Sequence, residues 1–322
     1  MITTRRWLIG ALIAAAIGAL AITSQRSPSS TATTVRLNAP FPAIDFAPFY
    51  IAKEKGWLVE ALAATSAKPE YSGAFGEIAI SIESLASDRI DLILTSETPA
   101  IIGRSAGTNL KIVWLSCTLQ SDIIVPASSA LSKFEDLRGK KVATLSGSSS
   151  HFWLLKNLAA GPSAQDVQIV LFSKPDDAVA AFTTGNVDAL ALFPPFPEQI
   201  LVKGTARVLP SPAAPIQVVL VGRGAFLQDH PQQARAVVSA LEKAKMWIVN
   251  NPTEAKAIVA KETGFSQAVV DAAWPKLLWN TKLDDTAIVS DIQQKANFLK
   301  GTDRIKRAVD VANELLLSKD GR

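Results

Sequence analysis

Cysteine and histidine are nearly missing from this 322-residue chain. Cys117 is the single cysteine, and His151 and His230 are the two histidines. An internal disulfide is therefore excluded, and a zinc site built from Cys and His has too few donors. Net charge is scarce as well: the formal balance is +4. Arg5 and Arg6 sit ahead of an apolar N-terminal run, and without them 31 basic residues face 29 acidic ones. No basic stripe with interleaved aromatics occurs, so the electrostatic footprint of a nucleic-acid binder is absent. What is present describes an ordered globular chain, 48% hydrophobic and 19% charged, long enough for two domains with a sizeable core in each.

The first 22 residues have the layout of an export signal. Two arginines precede Trp7 to Ile22, sixteen residues without a charge, with Ala19-Leu20-Ala21 as a small-x-small cleavage site. An uncleaved N-terminal anchor is the alternative, although the run is short of the roughly twenty residues of a comfortable span. No cysteine lies nearby to carry a lipid, and the arginine pair also resembles a twin-arginine signal. Residues 23–34, eight of them Ser or Thr, read as a solvated linker.

The stretch most suggestive of chemistry is Thr144-Leu145-Ser146-Gly147-Ser148-Ser149-Ser150-His151. A buried strand over Lys141 to Leu145 runs into a turn at Gly147, and Phe152, Leu155 and Leu158 then recur at helical spacing. A helix N-terminus offers unpaired N–H groups and the positive end of the dipole, and the serine hydroxyls add donors, so a small anion can bind there without lysine or arginine. One serine is also expected simply to cap the helix. The second glycine and the Lys-Ser/Thr of a nucleotide-binding P-loop are missing. Beside the helix dipole, His151 should titrate below a free histidine, and a bound anion should raise it again.

Along the chain, Val35 to Leu37 opens as a strand, and a helix from Pro48 to Lys55 stops at Gly56. Gly73 leads into a helix with Ile78, Ile82 and Leu85 on its core face. After a strand at Ile90 to Leu94, Ser96-Glu97-Thr98-Pro99 forms a second strand-to-helix junction, with Thr98 read as the N-cap. Lys111 to Ser116 is a further strand, with Trp114 and Cys117 as core. Ser121 to Pro126 reads as a crossing between lobes, followed by a capping box at Ser132 to Glu135. Strand-helix alternation then repeats at 140–145, 167–172 and 187–192, which argues a parallel sheet with ligands at the carboxyl ends of its strands. At one such end lies Phe193-Pro194-Pro195-Phe196-Pro197, a stiff apolar wall or a rigid turn. Ile216 to Val221 crosses back, and from His230-Pro231 the chain reads as helical to Leu317, His230 itself being a surface residue.

Several of these pieces together resemble the substrate-binding proteins of ABC importers for aliphatic sulfonates, taurine and nitrate. They are Pro48 to Gly56, Ile90-Asp91 with Ser96 to Ala100, Asp136 to Val142, Gly147 to His151, Ala180 to Phe182 with Gly185 to Ala189, and His230-Pro231. The resemblance covers about Leu37 to Leu317. It implies an α/β, two-lobed periplasmic-binding-protein fold of type II, each lobe a mainly parallel sheet flanked by helices, with two hinge crossovers. On that basis lobe 1 comprises 35–120 and 222–322, and lobe 2 comprises 121–221. The implied protein is an extracytoplasmic, monomeric receptor that binds a small organic anion in the interlobe cleft, an aliphatic or aryl sulfonate with nitrate or taurine as the alternative, delivering to a membrane permease and needing no cofactor or metal.

The expected ligand-binding residues are Gly147, Ser148, Ser149, Ser150 and His151 at one junction, and Ser96, Glu97 and Thr98 at the other. Phe193, Pro194, Phe196, Phe46 and Tyr50 are expected around the tail, with Ser72 and Gly73 nearby. One departure from the family is visible. An acid frequent between the two aromatics is Pro194 here, which removes a partner for the ammonium of taurine and leaves Glu97 as a substitute. Two other functions remain open at this point: a desulfinase-like enzyme using Cys117 and His151 as nucleophile and base, and a membrane-tethered sensor domain.

Overall fold

The structure, a computed structural model, describes residues 32–73, 76–160, 166–213 and 215–318. The export segment and residues 23–31 of the linker lie outside the described residues. Where the linker was expected to continue to Thr34, the first strand has already begun at Thr33, whose N–H donates to the Ser66 carbonyl at 3.1 Å.

In chain order the strands are β1 (Thr33–Asn38), β2 (Ala67–Tyr71), β3 (Leu92–Ser96), β4 (Leu110–Gln120), β5 (Asp122–Pro126), β6 (Lys141–Leu145), β7 (Gln168–Phe172), β8 (Ala189–Leu192), β9 (Ala206–Leu209), β10 (Pro215–Arg223) and β11 (Leu277–Leu278). They form two sheets among the described residues, in the orders β11-β4-β10-β3-β1-β2 and β7-β6-β8-β5-β9. β1, β2 and β3 pair in parallel, as do β6, β7 and β8. The antiparallel pairs are those made by β10, by β11 and by β5. Each sheet with its helices is one lobe.

The passage from one lobe to the other is short. β4 ends at Gln120 in the first sheet and β5 begins at Asp122 in the second, leaving Ser121 between them. The return falls between Leu209 and Pro215, because β10 lies wholly in the first sheet. Residues 215–221, expected to belong with lobe 2, therefore pair with β3 and β4 of lobe 1. The C-terminal part also departs from the helical expectation. β11 pairs with β4, and Leu316 bridges to Ile112, so the last segment is stitched onto the first sheet.

Two aspartates of the resemblance motifs owe their place to this architecture. Asp91, just before β3, accepts the backbone N–H of Arg36 at 2.9 Å while its own N–H donates to the Arg36 carbonyl. Asp188, just before β8, does the same with Lys141 at 2.8 Å. In each lobe an aspartate thus extends the parallel ladder by one bond where the strand has not yet begun. Burial alone would raise the Asp91 pKa, but hydrogen bonds from Arg36 and Arg223 hold it below the usual carboxylate range.

Candidate functional site

The turn after β6 is built as its residue types dictate. Gly147 has φ +69, a left-handed conformation that a side chain would strain, although nothing lies closer to its missing Cβ than Ile102 at 4.0 Å. The helix Ser149–Ala160 follows, and the three serines at its start have three different tasks. Ser148 is the cap, its hydroxyl accepting the His151 N–H at 3.2 Å. The Ser149 hydroxyl reaches the other lobe and bonds Ser96 Oγ and Thr98 Oγ1, both at 3.0 Å. Ser150 is fully buried against the crossover, 2.8 Å from the Ser121 hydroxyl, which itself donates to the Leu192 carbonyl.

His151 turns back over its own turn, where Nδ1 accepts the Gly147 N–H at 3.4 Å. Its pKa is pushed down to about 4, first by burial and then by the positive charge of Arg304. The expected direction is found, but its causes are burial and Arg304 where the helix dipole was expected.

At the second junction the helix Glu97–Ser105 begins directly after β3 with Ser96 as its N-cap residue, so Thr98 lies inside the first turn and is not the cap. Glu97 is fully buried. Its Oε2 accepts the Gln217 N–H at 2.8 Å and its Oε1 accepts Lys295 Nζ at 2.8 Å. Lys295 also pairs with Asp291 at 2.7 Å and donates to the Pro215 carbonyl at 2.8 Å. Burial would lower the Lys295 pKa, yet Glu97 and Asp291 outweigh it and the ammonium is held above its ordinary value. Glu97 is therefore spent on Lys295 and does not stand as the free charge expected in place of Pro194.

Phe193 and Phe196 are both buried, and the intervening Pro194-Pro195 bond is cis. Their rings lie 5.5 Å apart, and Phe41 of the other lobe sits 5.9 Å from Phe193 and 6.1 Å from Phe196. Phe41 is the common wall of two spaces between the lobes. The deep one, about 20 Å³, is lined by Phe41, Asp45, Phe46, Thr95, Ser96 and Phe193 among others. The outer one, about 540 Å³, is bounded by Phe41, Phe196, Phe265, Lys174 and Gln199 among others. Tyr50 and Ser72 border a third space of about 170 Å³, which Phe41 also lines. The Tyr50 hydroxyl accepts the Ala43 N–H at 3.3 Å, and burial pushes its phenol pKa up. The carbonyls of Ser72 and Gly73 accept Asn38 Nδ2 at 3.3 and 2.8 Å, which places these two in the support of β1.

Asp45 lines the deep space with its carboxylate buried and Oδ1 without a hydrogen-bond partner. Burial pushes its pKa up to about 7, and its own backbone N–H offsets only part of this. Cys117 is fully buried in β4 near the Asp45 carbonyl, and burial, then the charge of Asp45, push its thiol pKa well up. Among the described residues no hydrogen bond joins Cys117 to His151.

Residues 43–255 match the family described as NMT1/THI5 like. The chain belongs to that family. A relative from Bacillus subtilis, named an aliphatic sulfonates-binding protein, is 30% identical over 278 residues, covering 82% of this chain and 81% of its own. The solved structure of the periplasmic aliphatic sulphonate binding protein SsuA from Escherichia coli superposes with TM-score 0.75 at 23% identity, over 88% of this chain and 97% of that one. SsuA from Xanthomonas axonopodis, an alkanesulfonate-binding protein bound to MOPS, gives TM-score 0.75 at 22% identity, over 89% and 99%. These two structures share the fold of this NMT1/THI5-like chain. No helix of the described residues is long and apolar enough to cross a membrane.

Sequence reasoning missed Phe41, Asp45, Thr95 and Lys295. Asp45 lies within the short 3-10 turn Ile44–Phe46 that leads into the helix Ala47–Glu54, with Phe41 shortly before it, a place where an acid reads as an ordinary first-turn residue. The available signal was an acid in a run of Ala, Ile, Phe and Pro over residues 39–49, where an unpaired charge is costly.

Proposed function

We propose that the protein is the extracytoplasmic substrate-binding component of an ABC importer, closing its two lobes on a small organic anion of the alkyl or aryl sulfonate class. The observation that carries this reading is the meeting of Ser149 with Ser96 and Thr98 across the cleft. Two helix N-termini face each other there, each contributing hydroxyl donors and the positive end of a dipole. A sulfonate placed between them would exchange hydroxyl-to-hydroxyl bonds for charge-assisted ones, which are about twice as strong. Lys295 balances the Glu97 carboxylate just behind this point.

The aromatic partition of Phe41, Phe193 and Phe196 suits an apolar tail, and the outer space beyond it has room for a bulky one. The chain acts as a receptor and not as an enzyme in this reading. A thiol as deeply buried as Cys117 is a poor nucleophile. The Bacillus subtilis relative named for sulfonate binding supports the ligand class. In this reading the N-terminal segment exports the chain, which works as a monomer delivering to a membrane permease.

Calorimetric titration of the exported protein with alkane- and arylsulfonates, nitrate and sulfate tests it. Sulfonates are expected to bind, with Ser149→Ala weakening them by about 1.5–3 kcal/mol for the lost bond to a charged group. Binding of nitrate in preference to every sulfonate would overturn the assignment.

A further inference from the structure

The described residues contain four buried carboxylates: Asp45, Asp91, Glu97 and Glu198. Asp91 is paired with Arg36 and Arg223, Glu97 with Lys295, and Glu198 with Lys276. Asp45 is the exception: no cation of the described residues is bonded to it, and Oδ1 has no hydrogen-bond partner. It is 5% exposed and lines the deep space between the lobes with Thr95 and Ser96, where the other walls, Phe41, Phe46, Leu119 and Phe193 among them, are apolar. That space of about 20 Å³ takes one oxygen-sized atom, since a single water needs about 10–15 Å³. Ser96 also belongs to the hydroxyl cluster, through its bond with Ser149, so an anion gripped by the cluster turns an oxygen into the deep space against Asp45. An ionised Asp45 would then put two anions into one apolar space, a pairing that buried acids avoid by keeping a proton.

We propose that Asp45 meets the ligand as a neutral carboxylic acid, its O–H donating to the one sulfonate oxygen that enters the deep space, so that the sulfonate is bound together with a proton taken from solvent. This rests on the sulfonate reading of the hydroxyl cluster and adds a donor that works only while protonated. The titratable groups that sense Asp45 are the Tyr50 phenol on the helix Ala47–Glu54 and the Cys117 thiol on β4, both pushed above their ordinary values and neutral around neutral pH. Lys245, which in turn senses Cys117, donates to the Leu115 and Thr281 carbonyls. Next to Ser96, the Glu97 charge is met by Lys295. With the Asp45 pKa near 7 in the empty protein, a bound anion disfavours the carboxylate and raises that value further. Affinity is therefore level while Asp45 is protonated in the empty protein, and falls as pH rises above the empty-state value because binding must then take up a proton.

The test is titration calorimetry with propane-1-sulfonate, whose own charge does not change over the range used. Wild type is expected to lose about tenfold or more in affinity between about pH 6.5 and pH 8.5, with uptake of close to one proton at the upper end, read in two buffers of different ionisation enthalpy. Asp45→Asn keeps an N–H donor that does not titrate, so its affinity should stay flat over the same range and lie near that of wild type at about pH 6. Asp45→Ala should bind about tenfold or more weakly at about pH 6, the donor to a charged group being lost. His151→Gln should keep the wild-type profile, because His151 titrates near 4. An affinity that rises with pH overturns the proposal, as does a fall with pH that persists in Asp45→Asn or vanishes in His151→Gln. If Asp45→Asn does not fold, the wild-type and His151→Gln series decide. Binding that is equally tight across the range would sink the donor alone, whereas failure of propane-1-sulfonate to bind at any pH would sink the receptor reading with it.

Discussion

Asp45 and His151 pull the pH dependence of stability in opposite directions. The Asp45 pKa is raised from 3.8 to about 7 in the folded protein. Its contribution is thus fully present below the unfolded value and is lost as pH rises through the folded one. His151 is lowered from 6.5 to about 4, so its contribution is present above 6.5 and lost as pH falls through about 4. Denaturant titrations across this range should show the stability of Asp45→Asn, relative to wild type, increasing from about pH 4 to pH 8. The full swing should approach about 4 kcal/mol, because each pH unit between the folded and unfolded titrations of one group is worth roughly 1.4 kcal/mol. In His151→Gln the loss on acidification between the same limits should be smaller than in wild type. A relative stability of Asp45→Asn that stays flat with pH would mean that the carboxylate has found a partner in solution.

Among the elements, the start of the helix at Ser149 gives neighbouring serines different partners, the His151 N–H for Ser148 and the Ser96 and Thr98 hydroxyls for Ser149, so the two can be tested apart. Ser148→Ala removes the cap and should cost about 0.5–2 kcal/mol of stability, with little change in which sulfonates bind. Ser149→Ala should do the reverse, leaving the melting temperature nearly unchanged and weakening binding. Equal effects of both changes on affinity would show that the turn acts as one unit. The helix Thr286–Gly301 carries Lys295 to Glu97 and to the start of β10. Lys295→Met strands a buried carboxylate at the head of the helix Glu97–Ser105 and should cost about 3–5 kcal/mol, most of it recovered in Lys295→Met with Glu97→Gln. Denaturant midpoints of the single and double variants check this. A double variant no more stable than the single one would put the cost in lost packing.

For the whole molecule the question is closure. The lobes touch through Ser149 and Thr98, through Phe41 and Phe193, and through Lys276, which reaches Asp122 and Glu198 beside the crossover. Rotation about Ser121 and the segment between Leu209 and Pro215 would part the first two contacts while disturbing the third, close to the crossover, far less. Saturating sulfonate should therefore lower the radius of gyration measured by solution scattering, as expected of hinge closure. Scattering curves that superimpose with and without ligand would count against a hinge here. The aromatic contacts should show in selectivity: Phe193→Ala or Phe196→Ala should weaken long-tailed sulfonates more than methanesulfonate, by about 1–3 kcal/mol per buried ring. Equal losses across a tail-length titration would reduce the wall to a turn.

By itself the sequence determined the alternation of strands and helices, the stop at Gly56, the core face of Ile78 and Leu85, and the two hydroxyl-bearing junctions. All of these are written in local periodicity and in the residues that caps and turns require. The order of motifs along the chain was enough for the family. Tertiary structure alone decided what each polar group faces. Glu97 meets Lys295 across 198 positions, Ser149 meets Thr98 across 51, and β10 joins the first sheet although it follows the second. Asp45 looked like any acid near a helix start, and only the packing of Phe41, Phe46 and Phe193 around it leaves its carboxylate unpaired. Local sequence carries backbone preference, whereas the partner of a buried charge is chosen by whichever distant segment the fold brings within about 3 Å.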